Sequence, residues 1–163
     1  MSTTTEEVTA QLVAEVTNLL TEHAEILDQN ELEKWPELFT HDACYRVLSR
    51  ENVAQGLPAP IIYYYSQGML KDRVTALRDA LTYEFVYTRH ITSPPRIKLT
   101  ADKQVHVQSN FSIYHTTERG ETRLYAVGAY EDVLTRVDQQ LRFRNRDIIL
   151  DTFAVPNNIA TPL

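Results

Sequence analysis

The sequence predicts an α+β fold in which a curved antiparallel sheet is filled on its concave side by helices. Three stretches carry that expectation. First, Leu124-Tyr-Ala-Val-Gly-Ala-Tyr-Glu-Asp-Val-Leu134 and Leu141-Arg-Phe-Arg-Asn-Arg-Asp-Ile-Ile-Leu-Asp151 are long runs rich in β-branched and aromatic residues, separated by a polar turn around Asp138-Gln139-Gln140. Second, Val105, Val107, Phe111 and Ile113 alternate with His106, Gln108, Asn110, Ser112 and Tyr114, so one face is apolar and the other polar but largely uncharged. Third, Val8, Leu12, Val16, Leu19, Leu20, His23, Ile26 and Leu27 recur at steps of three and four, one helical face over about five turns. Strands of ten or more residues curl under their own twist, and the hollow of a curled sheet must be packed.

The 163 residues are expected to form one domain, 1–163, long enough for a substantial core. A formal charge of −6 argues against nucleic acid as the main partner, because phosphate contacts need clustered Lys and Arg. Cys44 is the single cysteine, which excludes an internal disulfide and suits a reducing cytoplasm. The start, Met1-Ser-Thr-Thr-Thr-Glu-Glu, has neither the basic nor the apolar region of a signal peptide. No apolar run reaches the ~18 residues of a membrane span, so the expected location is the cytoplasm.

Taken in order, the N-terminal helix is expected to be capped by Thr3 or Thr5, with Glu6 and Glu7 near its positive end. Asp28-Gln-Asn30 breaks it. Leu32, Trp35, Leu38 and Phe39 predict short helical pieces around Pro36, and His41-Asp42 a turn leading into a first strand, Ala43 to Ser49. Asn52 to Pro60, with Gly56, Pro58 and Pro60, reads as loop, and Ile61 to Tyr65 as a short strand. Met69 to Leu81 is a second amphipathic helix with Leu70, Val74, Leu77 and Leu81 inward. Tyr83 to His90 is ambiguous and ends at the breaker Thr92-Ser-Pro-Pro95. Three strands follow from Arg96, the first two joined at Glu118-Arg-Gly-Glu121, where Gly120 supplies a positive φ. The tail after Asp151 shows no clear structure.

The chemistry-bearing residues are sparse. One cysteine cannot make a thiolate zinc site or a Rieske cluster, which needs two Cys and two His. Among His23, His41, His90, His106 and His115 there is no His-x-x-x-His pair, and on an unbulged strand His106 and His115 face opposite ways. No Gly-x-Ser-x-Gly and no glycine-rich phosphate loop is present. Cys44 is expected to be a structural thiol in a strand. His23, His41-Asp42 and Tyr130 are the acid–base candidates by residue type. Against that stand a hydrogen-bonded core histidine, a polar turn and a packed aromatic whose hydroxyl finds a partner. Tyr63, Tyr64 and Tyr65 cannot all be buried on one strand face, so at least one points outward, either where another subunit docks or on an aromatic-rich edge strand without a partner. Arg142, Arg144 and Arg146 are expected on one strand face, either in solvent or in an intersubunit ion-pair strip.

The order helix, short helix, strand, helix, long strands resembles the cone-shaped fold of nuclear transport factor 2 and ketosteroid isomerase. Trp35-Pro-Glu-Leu-Phe-Thr-His-Asp-Ala-Cys-Tyr45 looks like that superfamily's passage from second helix to first strand. Closer still, the chain resembles the small (beta) subunit of aromatic-ring-hydroxylating oxygenases. The resemblance covers nearly the whole length and is strongest at Thr88-Arg-His90 and at Gly128-Ala-Tyr-Glu-Asp-Val-Leu-Thr-Arg136 running into 141–151. Tyr130, Asp132, Arg136, Arg142 and Asp151 fit the family's Gly-Arg-Tyr-x-Asp and Leu-Asp patterns. Ala129 stands where the family usually has Arg, and Thr92-Ser-Pro-Pro95 replaces the usual Ser-Asn after the His. The resemblance implies a non-catalytic subunit with no catalytic, cofactor-binding or metal-binding residues of its own. It implies assembly with other beta subunits and with a large (alpha) subunit, three of each (α3β3). That large subunit would carry the Rieske [2Fe-2S] cluster and mononuclear Fe(II), and electrons would come from NAD(P)H through a reductase, often with a ferredoxin. The expected substrates are carboxylated rings such as salicylate, anthranilate or benzoate, with a salicylate hydroxylase favoured and monooxygenase versus dioxygenase left open. The alternatives are a stand-alone isomerase or dehydratase of the same fold, and a small-ligand-binding module.

Overall fold

A computed structural model describes residues 7–57, 59–79, 85–151 and 161–163. Helix α1, Ala10–Asp28, begins the described part. Thr9 caps it, its Oγ1 accepting from the Leu12 N–H at 3.1 Å. The expected caps Thr3 and Thr5 lie outside the described residues, and the first turn starts later than they require. Leu12, Val16, Leu19, Leu20, His23, Ile26 and Leu27 are all buried, as the periodicity requires. A 3-10 helix, Leu32–Leu38, follows and places Trp35 fully inside.

Strand β1 is longer than its sequence indicates. It spans Phe39–Ser49 and carries His41 and Asp42 within it rather than in a preceding turn. Its register against the last strand shifts between Phe39 and Cys44, so this polar pair sits on an irregular stretch where the ladder is interrupted. The expected loop from Asn52 also begins as structure. Ser49 caps a short helix α2, Arg50–Ala54, by accepting from the Asn52 N–H at 3.2 Å. Strand β2 is Ile62–Tyr64 and helix α3 is Gln67–Asp79, with Leu70, Val74 and Leu77 buried. Leu81 lies outside the described residues.

From Arg96 onward the described residues form four strands rather than the expected three, and another strand precedes them. Strand β3 is Val86–Thr92, which resolves the ambiguous stretch, and β4, Arg96–Leu99, is a separate short strand beside β5, Val105–Thr117. Strands β6, Thr122–Val137, and β7, Gln140–Leu150, are the two long runs. Gly120 turns with φ +84°, as expected. The β6–β7 turn places Asp138 and Gln139 at φ 50° and 69°, both in the left-handed region that a two-residue hairpin demands.

The sheet runs β2-β1-β7-β6-β5-β3, with β4 beside β5. Every pairing is antiparallel except β1–β7, which is parallel. Val105, Val107, Phe111 and Ile113 face the interior and the partners predicted for the other side face out. The helices lie in the hollow: α1 contacts β3 and β7, and α3 contacts β1. Trp35, Phe39, Tyr45 and Phe143 form an aromatic centre, with Trp35 and Tyr45 edge-on at 5.4 Å between ring centroids. The end of the chain joins that core. Leu163 is buried and its N–H donates to the Tyr45 hydroxyl at 3.0 Å.

Candidate functional site: the interior polar groups and the outer face

The buried polar groups come first, because in a hollow sheet they decide whether the interior works chemically or holds the fold. His23, on the apolar face of α1, accepts the Trp35 Nε1–H through Nε2 at 3.2 Å and stands edge-on to Phe143. It is the hydrogen-bonded core histidine. Burial, reinforced by Arg146 and His90, holds its pKa well below the ordinary 6.5, so it is neutral in the fold. A stability consequence follows. Above pH 6.5 both folded and unfolded His23 are neutral. Below it the unfolded chain takes up a proton that the folded one refuses. Stability should therefore fall as pH drops below about 6.5, by about 1.4 kcal/mol per pH unit for each such group. His115, half-buried and also lowered by burial, adds a smaller slope in the same direction. Urea midpoints between pH 8 and 5 measure this. His23→Leu should remove one proton's worth of slope while costing about 1–3 kcal/mol at pH 8, since the Trp35 N–H loses its acceptor.

Tyr130 is fully buried, stacked on Phe111 at 4.3 Å, with the Arg146 guanidinium 3.8 Å above its ring. Burial pushes its hydroxyl up to about 12, so it is a packed aromatic rather than a proton donor. Contrary to expectation, its hydroxyl has no hydrogen-bond partner among the described residues. Arg146 itself corrects the expected arginine strip. Arg144 is skipped in the β6–β7 register, so Val133 opposes Asn145 while Leu134 opposes Phe143. This one-residue bulge reverses the facing of the remainder of β7. Arg144 is exposed and Arg142 half-buried, but Arg146 turns inward and pairs with Asp132 at 2.8 Å, both essentially without solvent contact. Burial raises the Asp132 carboxyl above its usual range while Arg146 pulls it down. Arg142 donates to the Glu37 carbonyl instead.

A second interior pair was not foreseen. The Asp28 carboxylate, at the end of α1, accepts the His90 backbone N–H at 3.0 Å and lies 2.6 Å from its Nδ1. Asp28 had only the signature of a helix breaker. Here it joins α1 to β3 and occupies a donor on that strand's free edge. His115 lies on the same face, stacked on Tyr125 at 3.8 Å. His41 and Asp42 are exposed, and Thr40 donates to Asp42 at 2.9 Å. They make no catalytic constellation.

The donor set does not fit iron or a Rieske cluster. Cys44 is half-buried on the outer face, its thiol raised by burial, and His106 and His115 face opposite ways on β5 as predicted. Among the described residues no three or more His, Cys, Asp or Glu converge to hold a metal. No described helix is long and apolar enough to cross a membrane.

The outer face is where the sequence foresaw contacts. Tyr64 turns inward and stacks on Tyr45 at 5.8 Å, while Tyr63 and Tyr65 are 51% and 65% exposed. Arg46 on β1 and Asp147 on β7 form a two-bond ion pair across the adjoining strands, one arm at 2.8 Å.

A curled sheet closed by a long helix, its hollow filled by aliphatic and aromatic side chains, defines the cone-shaped α+β class shared with nuclear transport factor 2. Within that class the family model described as the ring hydroxylating beta subunit matches residues 22–157, and the chain belongs to that family. It is 39% identical over 137 residues to the anthranilate 1,2-dioxygenase small subunit of Burkholderia cepacia, covering 84% of this chain and 85% of that one. It is 37% identical over 141 residues to the beta 1 subunit of the terminal oxygenase component of terephthalate 1,2-dioxygenase from a Comamonas species, covering 86% and 92%. A crystal structure of the beta subunit assigned to an aromatic-ring-hydroxylating dioxygenase of Novosphingobium aromaticivorans superposes with a TM-score of 0.87 at 35% identity, covering 96% of this chain and all of the other.

Proposed function

We propose that this chain is a structural, non-catalytic subunit, folded as one domain, that holds the large subunits of an aromatic-ring-hydroxylating oxygenase in a three-plus-three cytoplasmic assembly. The observation that carries this reading is the family match across residues 22–157, joined to a donor set unable to hold iron among the described residues. The large subunit would supply the [2Fe-2S] and iron chemistry, with electrons arriving from NAD(P)H through a reductase and ferredoxin. Relatives named for anthranilate and terephthalate, both carboxylated rings, support a carboxylated aromatic as substrate. Salicylate hydroxylase and anthranilate or benzoate dioxygenase are the members to try first.

Co-expression with a cognate large subunit tests it. The expected result is a stable complex in which iron and turnover track the large subunit, while the purified small chain alone shows neither. A small chain that elutes alone from such a preparation overturns the proposal. So does unaided conversion of a compound by the isolated chain, which would favour a stand-alone isomerase or dehydratase built on the Asp28–His90 pair.

A further inference from the structure

Asp28 does more at His90 than tie a helix to a strand. Both of its oxygens accept the His90 backbone N–H, at 3.1 and 3.0 Å, and Oδ1 lies 2.6 Å from His90 Nδ1. The His90 side chain is 1% exposed and that of Asp28 8%. A carboxylate held this firmly fixes the tautomer, so Nδ1 carries the proton and donates it. Nε2, across the ring, is left with a lone pair, made more basic by the carboxylate behind it. That atom is buried and has no hydrogen-bond partner among the described residues. An unmet buried acceptor is costly, and a ligand hydroxyl is one way to meet it.

His115 supplies a second polar atom beside the first. His90 opposes Ile113 across β3 and β5, and Thr88 opposes His115, so the two imidazoles share one face of the sheet, one diagonal step apart. Burial lowers the His115 pKa and His90 lowers it further, as a neighbouring ring does. His115 Nε2 is also buried without a partner among the described residues, while Tyr125 stacks on the ring at 3.8 Å and holds its orientation. Solvent reaches this end of the hollow. Thr88, His115 and Tyr125 are half-buried, whereas His90, Ile113 and Ala126 beyond them are buried.

We propose that Asp28, His90 and His115 bind a phenolic hydroxyl, which donates to His90 Nε2 and accepts from His115 Nε2. An acceptor backed by a carboxylate favours the more acidic O–H, and a phenol, with a pKa of about 10, is a far stronger donor than an aliphatic alcohol. Two imidazoles with a carboxylate behind one also resemble part of a zinc shell, but among the described residues no third His, Cys, Asp or Glu joins them. Binding breaks no bond, so it is compatible with a non-catalytic subunit. It rests on this chain's own residues and not on the assembly proposed above.

Phenol titrated into the full-length chain at mildly alkaline pH, with isotopically labelled histidines followed by nuclear magnetic resonance, tests this. In the free chain the His90 ring should carry its proton on Nδ1 and none on Nε2. Millimolar phenol should shift the ring signals of His90 and His115 along one saturable curve. Anisole, which has the same ring without the O–H, should leave them in place. His90→Gln and His115→Phe should each weaken phenol binding by about tenfold or more, since each removes one of the two hydrogen bonds. The wild-type spectra decide the matter even where a variant does not fold. A His90 proton on Nε2 in the free chain, no saturable shift, or shifts that anisole reproduces overturns the proposal. So does a folded variant that binds phenol as wild type does. None of these outcomes touches capture by the large subunit, which tests the structural role separately.

Discussion

Arg146→Leu is expected to cost about 3–5 kcal/mol in urea unfolding at alkaline pH, because it leaves the buried Asp132 carboxyl without its partner, to be kept charged or protonated. Arg146 is 1% exposed and Asp132 2%, so neither can borrow water. The guanidinium also packs on Tyr130 and Phe143, at 3.8 and 4.7 Å from their ring centroids, and those contacts go with it. Removing both charges should cost much less. Asp132→Leu combined with Arg146→Met is expected to recover most of the loss, since a buried ion pair often does no better than well-packed apolar groups. The pH dependence identifies the cause. Without Arg146 the Asp132 pKa rises further above its unfolded value. Protonation then favours the fold, so the variant's deficit relative to wild type should shrink as pH falls and grow as pH rises through that raised pKa. A deficit below about 1 kcal/mol, or one independent of pH, is incompatible with the paired interior charge described here.

Gly128→Ala is expected to leave no soluble folded protein. A Cβ at this position would stand 2.0 Å from the Ile149 carbonyl oxygen, 2.9 Å from its carbon and 3.1 Å from Phe111 Cζ. The first two are backbone atoms of the neighbouring strand, so relief requires parting β6 from β7 along the longest antiparallel ladder but one. Losses above about 4 kcal/mol belong to such overpacking. Gly68 is the matched control: it lies in α3 with only the Ser66 Oγ within reach, at 3.6 Å. Gly68→Ala should be tolerated and gain up to about 1 kcal/mol from helix propensity. Soluble yield and thermal melting of the two variants compare them directly.

Periodicity was the reliable signal in this chain. It placed the buried face of α1, the alternation of β5 and the two long strands, because each is set by which residues repeat against the core. What it missed was set by single-residue irregularities. The extra residue at Arg144 turns Arg146 from a surface cation into a core one, and no composition rule marks a bulge. His41-Asp42 has turn chemistry, yet sits in an irregular stretch of β1. Asp28 reads as a helix end, and its partner His90 is brought to it only by the path of β3. Of the outer face, the tyrosine run was legible because three adjacent aromatics cannot share one side of a strand. The exposure of Tyr87 and Ile91 was not, because Tyr83 to His90 is ambiguous in sequence and nothing in it marks β3 as an edge strand.

The parallel pairing of β1 with β7 has a consequence for how the protein is made. β1 sits between β2 and β7, and its ion pair joins Arg46 to Asp147, 101 residues later. During translation the first strand therefore emerges long before its central neighbour exists. Contacts this distant in sequence slow folding, and the aromatic wall around Trp35 and Phe39 stays open to solvent until residues near 150 leave the ribosome. The sheet can therefore close only after both β1 and β7 have been made.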